Sequence, residues 1–456
     1  MRTFFAIEQI SVFYITPMNR IVCKFGGSSV ADAVQFRKIK DILSGNQERK
    51  IIVVSAPGKR NPQEAKLTDL LYSTYDLSKK NLDFSEPWNL IKERFVEITE
   101  GLSIRSTIRE ELEELEIEMK NHESEVTVDF VASRGEYLCA KIMSEFLGAK
   151  FIDAFPIIQF DSLYRVTQQS IDELKDTLSD PNQLYVVPGF YGSDMQGNLK
   201  TFTRGGSDIT GAILANACDC LLYENWTDVS GLLMADPRII KDAHSISYVS
   251  YREIRELAYS GANVLHDESI APCRAKNISI HIKNTNSPSD HGTTIGPTPS
   301  NFSRTITGIA GRKEFSMLYI EKSMMNKEKG FGRKILAILE DHDVSYELSP
   351  CGIDSMNIVV DSKSLHKVEG TVRAEIEQKM HPYKIRIFDN IALIATVGHG
   401  MVNQIGTAAK LFDALARENI NVRIIDQGSS EINIIIGVNE SDFEKAIIAI
   451  YREFVG

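Results

Sequence analysis

Ile21-Val22-Cys23-Lys24-Phe25-Gly26-Gly27-Ser28-Ser29 is the stretch on which the reading of this chain turns. A β-branched, apolar run leads into a lysine, then two glycines and two serines, which predicts a strand ending in a tight, backbone-exposed loop. Glycines let main-chain N–H groups approach an anion closely, and a lysine adds a point charge. Such a loop suits a nucleotide phosphate. It is not a Walker loop, since no G-x-x-x-x-G-K-[ST] occurs in the chain. Taken alone, the stretch is equally a plain turn after a strand.

The surrounding sequence supplies the context. Apolar runs at Lys50–Ser55, Lys150–Asp153, Leu184–Pro188, Cys220–Glu224 and Ile278–Ile282 alternate with helical stretches. This pattern predicts an α/β domain with a mainly parallel sheet, whose ligands sit at the carboxyl ends of the strands. Residues Leu67 to Asn121 read as largely helical. The acidic run Arg109–Lys120 reads as a solvated helix face.

Residues Asn284 to Arg304 are rich in Asn, Ser, Thr, Pro and Gly and mark a boundary. Beyond it the sequence repeats with an offset of 76 positions: Gly330 maps to Gly406, Leu339 to Leu415, Gly352 to Gly428 and Asn357 to Asn433. The apolar runs Met317–Ile320 and Leu393–Thr396 share that register. Each copy fits a ferredoxin-like α+β sandwich, and the period is that of a duplicated small domain. Gly398-His399-Gly400 imitates the start of a dinucleotide fingerprint, but the third glycine and the ribose-binding acid are missing, so no Rossmann site is expected.

Bulk properties set further bounds. With 456 residues, two or three domains are expected. A net charge of −11 argues against a nucleic-acid partner. The six cysteines are scattered without zinc-site spacing and read as free thiols in a reducing cytoplasm. No apolar run has the length of a membrane span, so no membrane role is expected. Residues 1–17, apolar but interrupted by Glu8 and Gln9, read as an N-terminal extension, with Met18 a candidate functional start.

Three further segments carry candidate chemistry. Arg204-Gly205-Gly206-Ser207-Asp208 opens an Ala/Leu-rich helical pattern. Glycines there expose N–H groups to an anion, Arg204 can clamp a carboxylate, and Asp208 can receive an ammonium group, which together suit an α-amino acid. A capped helix start is the plainer account. Ser133-Arg134-Gly135-Glu136 reads as opening another helix, with Glu136 either a partner for an amino group or an acid of a first turn. Trp226-Thr227-Asp228-Val229-Ser230-Gly231, continuing to Ala235-Asp236-Pro237-Arg238, follows an apolar run. Its Thr-Asp pair can hold a nucleotide and Arg238 can meet phosphate, while Asp236 reads as a turn initiator.

These segments, in this order and at similar spacing, resemble the aspartate kinases of the amino acid kinase superfamily, and the resemblance runs from Ile21 to the C-terminus. The repeat resembles that family's tandem ACT domains. The resemblance implies an amino acid kinase-like three-layer sandwich over residues 18–300, then ferredoxin-like ACT domains at 301–388 and 389–456. It implies transfer of the γ-phosphoryl of Mg·ATP to the β-carboxylate of L-aspartate, with ATP and Mg²⁺ required and no metal ligand assigned to a protein side chain. Lys24, Gly26, Gly27 and Ser28 would hold the transferring phosphoryl group. Ser55 and Thr68 would line the cleft. Glu136, Arg204, Ser207 and Asp208 would hold aspartate, with Asp208 and Lys24 catalytic. Thr227, Asp228 and Arg238 would contact ATP.

The chain departs from the family pattern at Asn263, where many relatives carry lysine, and at Leu233, where many place tyrosine. Both nucleotide contacts are open. Ser349 to Asn357 resembles the effector stretch of lysine-responsive relatives, giving Met325, Gly330, Phe331, Ser349, Asp354 and Ser355 as effector residues, lysine as the first expected effector and threonine the second. Pairing through ACT domains implies a homodimer or homotetramer. The length leaves no homoserine dehydrogenase part, so a monofunctional enzyme is expected. The rival readings are an acetylglutamate or glutamate kinase and a non-catalytic amino-acid sensor.

Overall fold

The computed structural model describes residues 20–121, 126–163, 165–202, 205–262, 265 and 267–456. The proposed N-terminal extension, Arg204 and Asn263 lie outside the described residues. Two compact units form, one of residues up to Val229 with Glu268–Asp290, the other of Ser230–Asp267 with His291–Gly456.

In the first unit the parallel sheet contains β1 (Ile21–Phe25), β2 (Arg49–Val54), β3 (Lys150–Phe151), β4 (Tyr185–Pro188), β5 (Leu222–Thr227) and β6 (Ser279–Asn284). Their order is β6-β5-β1-β2-β4-β3, and the pairings are parallel. β1 is buried along its whole length, as a continuous apolar run covered on both faces demands. Register places Val22 beside Tyr223 and Lys24 beside Asn225, so these four share one face. The helix Gly206–Ala217 covers that face. Its Gly211 lies so close to the Tyr223 ring that a Cβ would sit 2.6 Å from it. On the opposite face Cys23, Phe25 and Trp226 join a core with Phe36, Trp88, Phe95 and Leu138 from three helices. This is a three-layer α/β sandwich. The chain runs outward from β1 to one side through β2 and β4, then returns to β5 on the other side. The switch point of the sheet is therefore between β1 and β5, where ligands of open parallel sheets bind.

Two expected elements fall differently. The expected strand Cys220–Glu224 is Leu222–Thr227, because Cys220 still closes the preceding helix through its N–H to Ala215 O at 3.0 Å. Trp226 and Thr227 are therefore inside β5 rather than after it. Ser133–Glu136 does not open a helix. The helix runs Val128–Leu147, capped by the Thr127 hydroxyl, which accepts from Phe130 N at 3.1 Å. Gly135 sits inside it because a Cβ there would meet the Ala56 Cβ at 2.8 Å. The helical reading of Leu67 to Asn121 resolves into helices Leu67–Lys79, Ser85–Leu102 and Ile108–Lys120.

In the second unit, strands β7 (Gly308–Glu321), β8 (Tyr346–Leu348), β9 (Ser355–Asp361), β10 (Lys384–Val397), β11 (Ile424–Asp426) and β12 (Asn433–Asn439) form one antiparallel sheet, in the order β8-β9-β7-β10-β12-β11. β7 and β10, each 14 residues long, are displaced by the repeat offset and lie side by side. Each serves both copies. The end of β7 and the start of β10 complete the first ferredoxin-like sandwich. The end of β10 pairs with Gly308–Arg312, which supplies the second sandwich with its fourth strand from ahead of the first copy. A boundary at 388/389 thus falls inside β10. Gly330 and Gly406 occupy the same role, each a left-handed residue (φ +76° and +90°) just before a helix.

Gly398-His399-Gly400 leads into a 3-10 turn, His399–Met401. A Cβ on Gly398 would lie 2.6 Å from Ile306 Cα, so its glycine serves close backbone approach. His399 N–H donates to Glu253 Oε1 at 2.9 Å, and the Thr307 hydroxyl donates to the same oxygen at 2.6 Å. Glu253 Oε2 accepts from Ser250 N at 2.9 Å, completing a capping box on the helix Tyr251–Tyr259. Burial pushes this carboxyl up, but the bonds from Thr307, His399 and Ser250 outweigh it and hold the group below its ordinary value. Glu253→Ala strands three donors, the buried N–H groups of Ser250 and His399 and the half-buried Thr307 hydroxyl. It is expected to lower stability by about 3 kcal/mol in urea unfolding, and an unchanged midpoint would contradict the assignment.

Candidate active site

The site is built at the carboxyl edge of β1, β2, β4 and β5. After β1 the chain enters a 3-10 turn, Gly27–Val30. Gly26, Gly27 and Ser28 are half-exposed, whereas Ser29 is buried, its hydroxyl 2.7 Å from Thr285 Oγ1. Gly26 N–H donates to Trp226 O at 2.9 Å, tying the loop to β5. The next loop, after β2, lies directly on this one. Ser55 N–H donates to Phe25 O at 3.1 Å and Gly58 N–H to Gly27 O at 2.8 Å. A Cβ on Gly58 would be 2.5 Å from the Gly27 carbonyl carbon, so only glycine fits.

Lys24 reaches over Gly26 to Asp208, with Nζ 2.5 Å from Oδ1. Asp208 lies in the first turn of the helix Gly206–Ala217, where the helix dipole favours a carboxylate. Asn225 Nδ2 donates to the same oxygen at 2.9 Å, and the Tyr223 hydroxyl donates to Asp208 O at 3.2 Å. The ammonium group beside Asp208 here is that of Lys24. The plainer account of this helix start, a side-chain cap, does not apply: Gly205 precedes it in the left-handed region (φ +60°) and no side chain caps it. The glycines serve contact instead. A Cβ on Gly206 would meet Phe190 Cα at 2.8 Å, and one on Gly189 would meet the Ser207 Cα at 2.7 Å. Phe190 itself is held at φ +80°, a strained conformation for a bulky residue.

Glu136 is 5% exposed and its Oε2 has no hydrogen-bond partner. Burial pushes its carboxyl up to about 8, against the opposing pull of the Ala56 N–H, its own N–H and the Lys24 charge. Ala56 thereby joins Glu136 to the loop that packs on Gly27. Thr68 lies in the first turn of the helix Leu67–Lys79, whose Leu67 and Leu71 flank Gly135. Thr227 ends β5, and its hydroxyl donates to Asp228 Oδ1 at 3.0 Å.

The fold thus gathers Lys24, Gly26, Gly27, Ser28, Ser55, Glu136, Ser207, Asp208 and Thr227 on one edge of the first unit. Arg238 and Leu233 belong to the second unit, where the exposed Arg238 guanidinium pairs with Asp236 at 2.6 Å. The Arg238 N–H also donates to Asp236 Oδ1 at 2.8 Å, the turn expected of Asp-Pro. Sequence reading passed over Gly58, Gly189, Phe190 and Asn225. Gly189 and Phe190 carried a signal, as a Gly after an apolar run, whereas Asn225, one residue past the expected strand, had none.

The amino acid kinase family profile matches residues 19–284, and an ACT domain profile matches residues 394–454. Aspartokinase 3 of Bacillus subtilis is 36% identical over 446 residues, covering 95% of this chain and 98% of its own length. The chain belongs to the aspartokinases of the amino acid kinase family. Among solved structures, the allosteric aspartate kinase of Clostridium acetobutylicum matches with a TM-score of 0.87 and 46% identity, covering 96% of this chain and 100% of that one. E. coli aspartokinase III, crystallised with aspartate and ADP, matches with a TM-score of 0.75 and 25% identity over 95% and 99%. As an aspartate kinase with ACT regulatory domains, the chain has its kinase family match on the parallel sheet and its ACT match on the second sandwich. No helix among the described residues is long and apolar enough to cross a membrane.

Proposed function

We propose that this aspartokinase transfers the γ-phosphoryl group of Mg·ATP to the β-carboxylate of L-aspartate. The observation that carries the reading is the Lys24–Asp208 pair at the switch point of the sheet, beside the half-exposed Gly26–Ser28 backbone. A β-carboxyl group with an ordinary pKa of about 3.9 is ionised at neutral pH, so its oxygen attacks phosphorus without a general base. The bond from phosphorus to the ADP oxygen breaks as the new one forms, and ADP leaves with its electron pair. The barrier is repulsion between two anions, and catalysis is positioning plus positive charge. Lys24, held by Asp208, and the N–H groups of Gly27 and Ser28 supply both, with Gly26 anchoring the loop through its N–H to Trp226 O. Magnesium arrives with ATP, as part of the substrate.

In this reading Glu136 takes the α-ammonium group of aspartate, Arg204 and Ser207 its α-carboxylate, and Ser55 and Thr68 line the cleft. Thr227, Asp228 and Arg238 meet the nucleotide. The enzyme acts in the cytoplasm, at the first step towards lysine, threonine and methionine, and assembles through its ACT domains.

Lysine is the proposed feedback effector, with threonine second. Its proposed residues are adjacent. Asn326 N–H donates to Ile353 O at 3.2 Å and Lys322 N–H to Asp354 O at 2.8 Å, which seats the turn before Gly330 and Phe331 against Ser349–Ser355. Met325 and Phe331 are buried behind it. Glu328 is occupied by Lys322 and Lys334 at 2.6 and 2.7 Å, which leaves Asp354 as the acid for a free lysine.

The test is ADP release by the purified enzyme with aspartate, glutamate or acetylglutamate. Aspartate alone is expected to support turnover, and millimolar lysine to suppress it. Turnover with another acid in its place contradicts the substrate assignment. Full activity in lysine, threonine and methionine contradicts the feedback.

A further inference from the structure

Arg94 stands at a position where an arginine is costly. It lies within the helix Ser85–Leu102, 9% exposed, between the buried Ile91, Phe95 and Ile98. A guanidinium group taken out of water must be fully engaged. Its Nη1 donates to Gly58 O at 2.7 Å and its Nη2 to Glu64 Oε2 at 2.6 Å. Glu64 in turn accepts from Arg60 N at 2.8 Å and Arg60 Nε at 2.7 Å. Arg60 also contacts Glu97. This ladder of charges borders a cavity of about 370 Å³ lined by Leu67, Leu70 and Leu90 as well.

The ladder ends on the loop that supports the phosphate cradle. Gly58 gives its carbonyl to Arg94 and its N–H to Gly27 O. Its Cα lies so close to the Gly27–Ser28 peptide that a Cβ would stand 2.7 Å from Gly27 O and 2.8 Å from Ser28 N. A shift of Gly58 therefore moves the N–H groups proposed to face the transferring phosphoryl group. Ala56, two residues earlier, touches both Glu136 and Gly27. We propose that Arg94, oriented by Glu64, is a positioning residue for phosphoryl transfer, setting the Gly26–Ser28 loop through the backbone of Gly58. The proposal rests on the aspartate kinase reading above.

The test is steady-state kinetics of Arg94→Met, Arg94→Lys and Glu64→Gln, normalised to the folded fraction by circular dichroism. Arg94→Met is expected to lower kcat on the order of 10-fold or more while KM for aspartate stays within about threefold, since a misplaced cradle weakens the transition state more than substrate binding. Arg94→Lys still reaches Gly58 O and is expected to recover much of that loss. Added guanidinium, well below denaturing concentrations, is expected to restore part of the activity of Arg94→Met. A folded Arg94→Met with the kcat of wild type, or an Arg94→Lys as impaired as Arg94→Met, overturns the proposal. Should Arg94→Met not fold, Glu64→Gln replaces it. A several-fold lower kcat with unchanged KM supports the proposal, and a wild-type kcat overturns it. A wild-type enzyme that releases no ADP with aspartate overturns the functional reading, and this proposal with it.

Discussion

Lys24→Ala is expected to lower kcat by about 100-fold or more, the typical cost of removing one preorganised donor from a site where charge develops. The expectation follows from geometry. Lys24 sits where β1 meets β5 at the switch point, its ammonium 2.5 Å from Asp208 and above Gly26. The phosphoryl group in transit is the most negative species the site handles, and Lys24 is the cation fixed at the start of the cradle. The fold is expected to survive. Asp208 keeps the donor Asn225 Nδ2, and the neighbouring strand positions Val22 and Cys23 are apolar and fully buried. Stability is expected to fall modestly, because a carboxylate of low exposure loses its counter-charge. Single-turnover measurement of ADP formation separates the chemical step from product release. Wild-type turnover in a folded Lys24→Ala contradicts the role given to this residue.

The second large effect concerns Glu136 and pH. With its carboxyl raised to about 8 by burial, Glu136 is mostly protonated in the substrate-free enzyme at neutral pH. An incoming ammonium group pairs only with the ionised form. Aspartate binding at pH 7 is therefore expected to release about one proton, and affinity for aspartate to rise about tenfold per pH unit until pH 8, then level off. Calorimetry in two buffers of different ionisation enthalpy reads the proton directly. Glu136→Gln is expected to abolish both the proton release and the slope, and to weaken aspartate binding by about 10-fold or more.

The stability consequence has a definite sign. A carboxyl whose folded pKa exceeds its unfolded value is neutral in both states at low pH. Stability is then lost as pH rises from the unfolded value near 4.5 towards the folded value near 8. Substrate-free Glu136→Gln is accordingly expected to be more stable than wild type at pH 8, on the order of a few kcal/mol, with the gap closing towards pH 4.5. Parallel stability profiles for the two proteins would contradict the buried, unpaired state of this acid.

What could be read in advance depended on whether a residue's task leaves a local mark. The glycine before Ser207 leaves one, because a Cβ on Gly206 would meet Phe190 Cα at 2.8 Å, and the loops before Ser28 and Ser207 both stand at the ends of elements the sequence marks. The repeat left one too, since its 76-residue offset recurs in the paired strands β7 and β10 and in the matching left-handed glycines 330 and 406. The exchange of the fourth strand between copies was not legible, because pairing partners of a long strand are a matter of tertiary register rather than pattern. Glu136 was misplaced at a helix start because Gly135 imitates one, whereas the glycine actually makes room for Ala56. Asn225 and Arg94 gave no signal at all. One reads as a polar residue just past the expected strand Cys220–Glu224 and the other as a charge on a helix, and only the packing of neighbouring elements turns them inward.

The most direct test of the account is to run the reaction in hydroxylamine and identify the trapped product by mass spectrometry. Hydroxylamine captures an acyl phosphate as a hydroxamate on the carbon that carried the phosphoryl group. The account predicts aspartate β-hydroxamate, formed in step with ADP and dependent on Lys24. ADP release without a hydroxamate, a hydroxamate on the α-carboxyl carbon, or trapping only with another acid would contradict it.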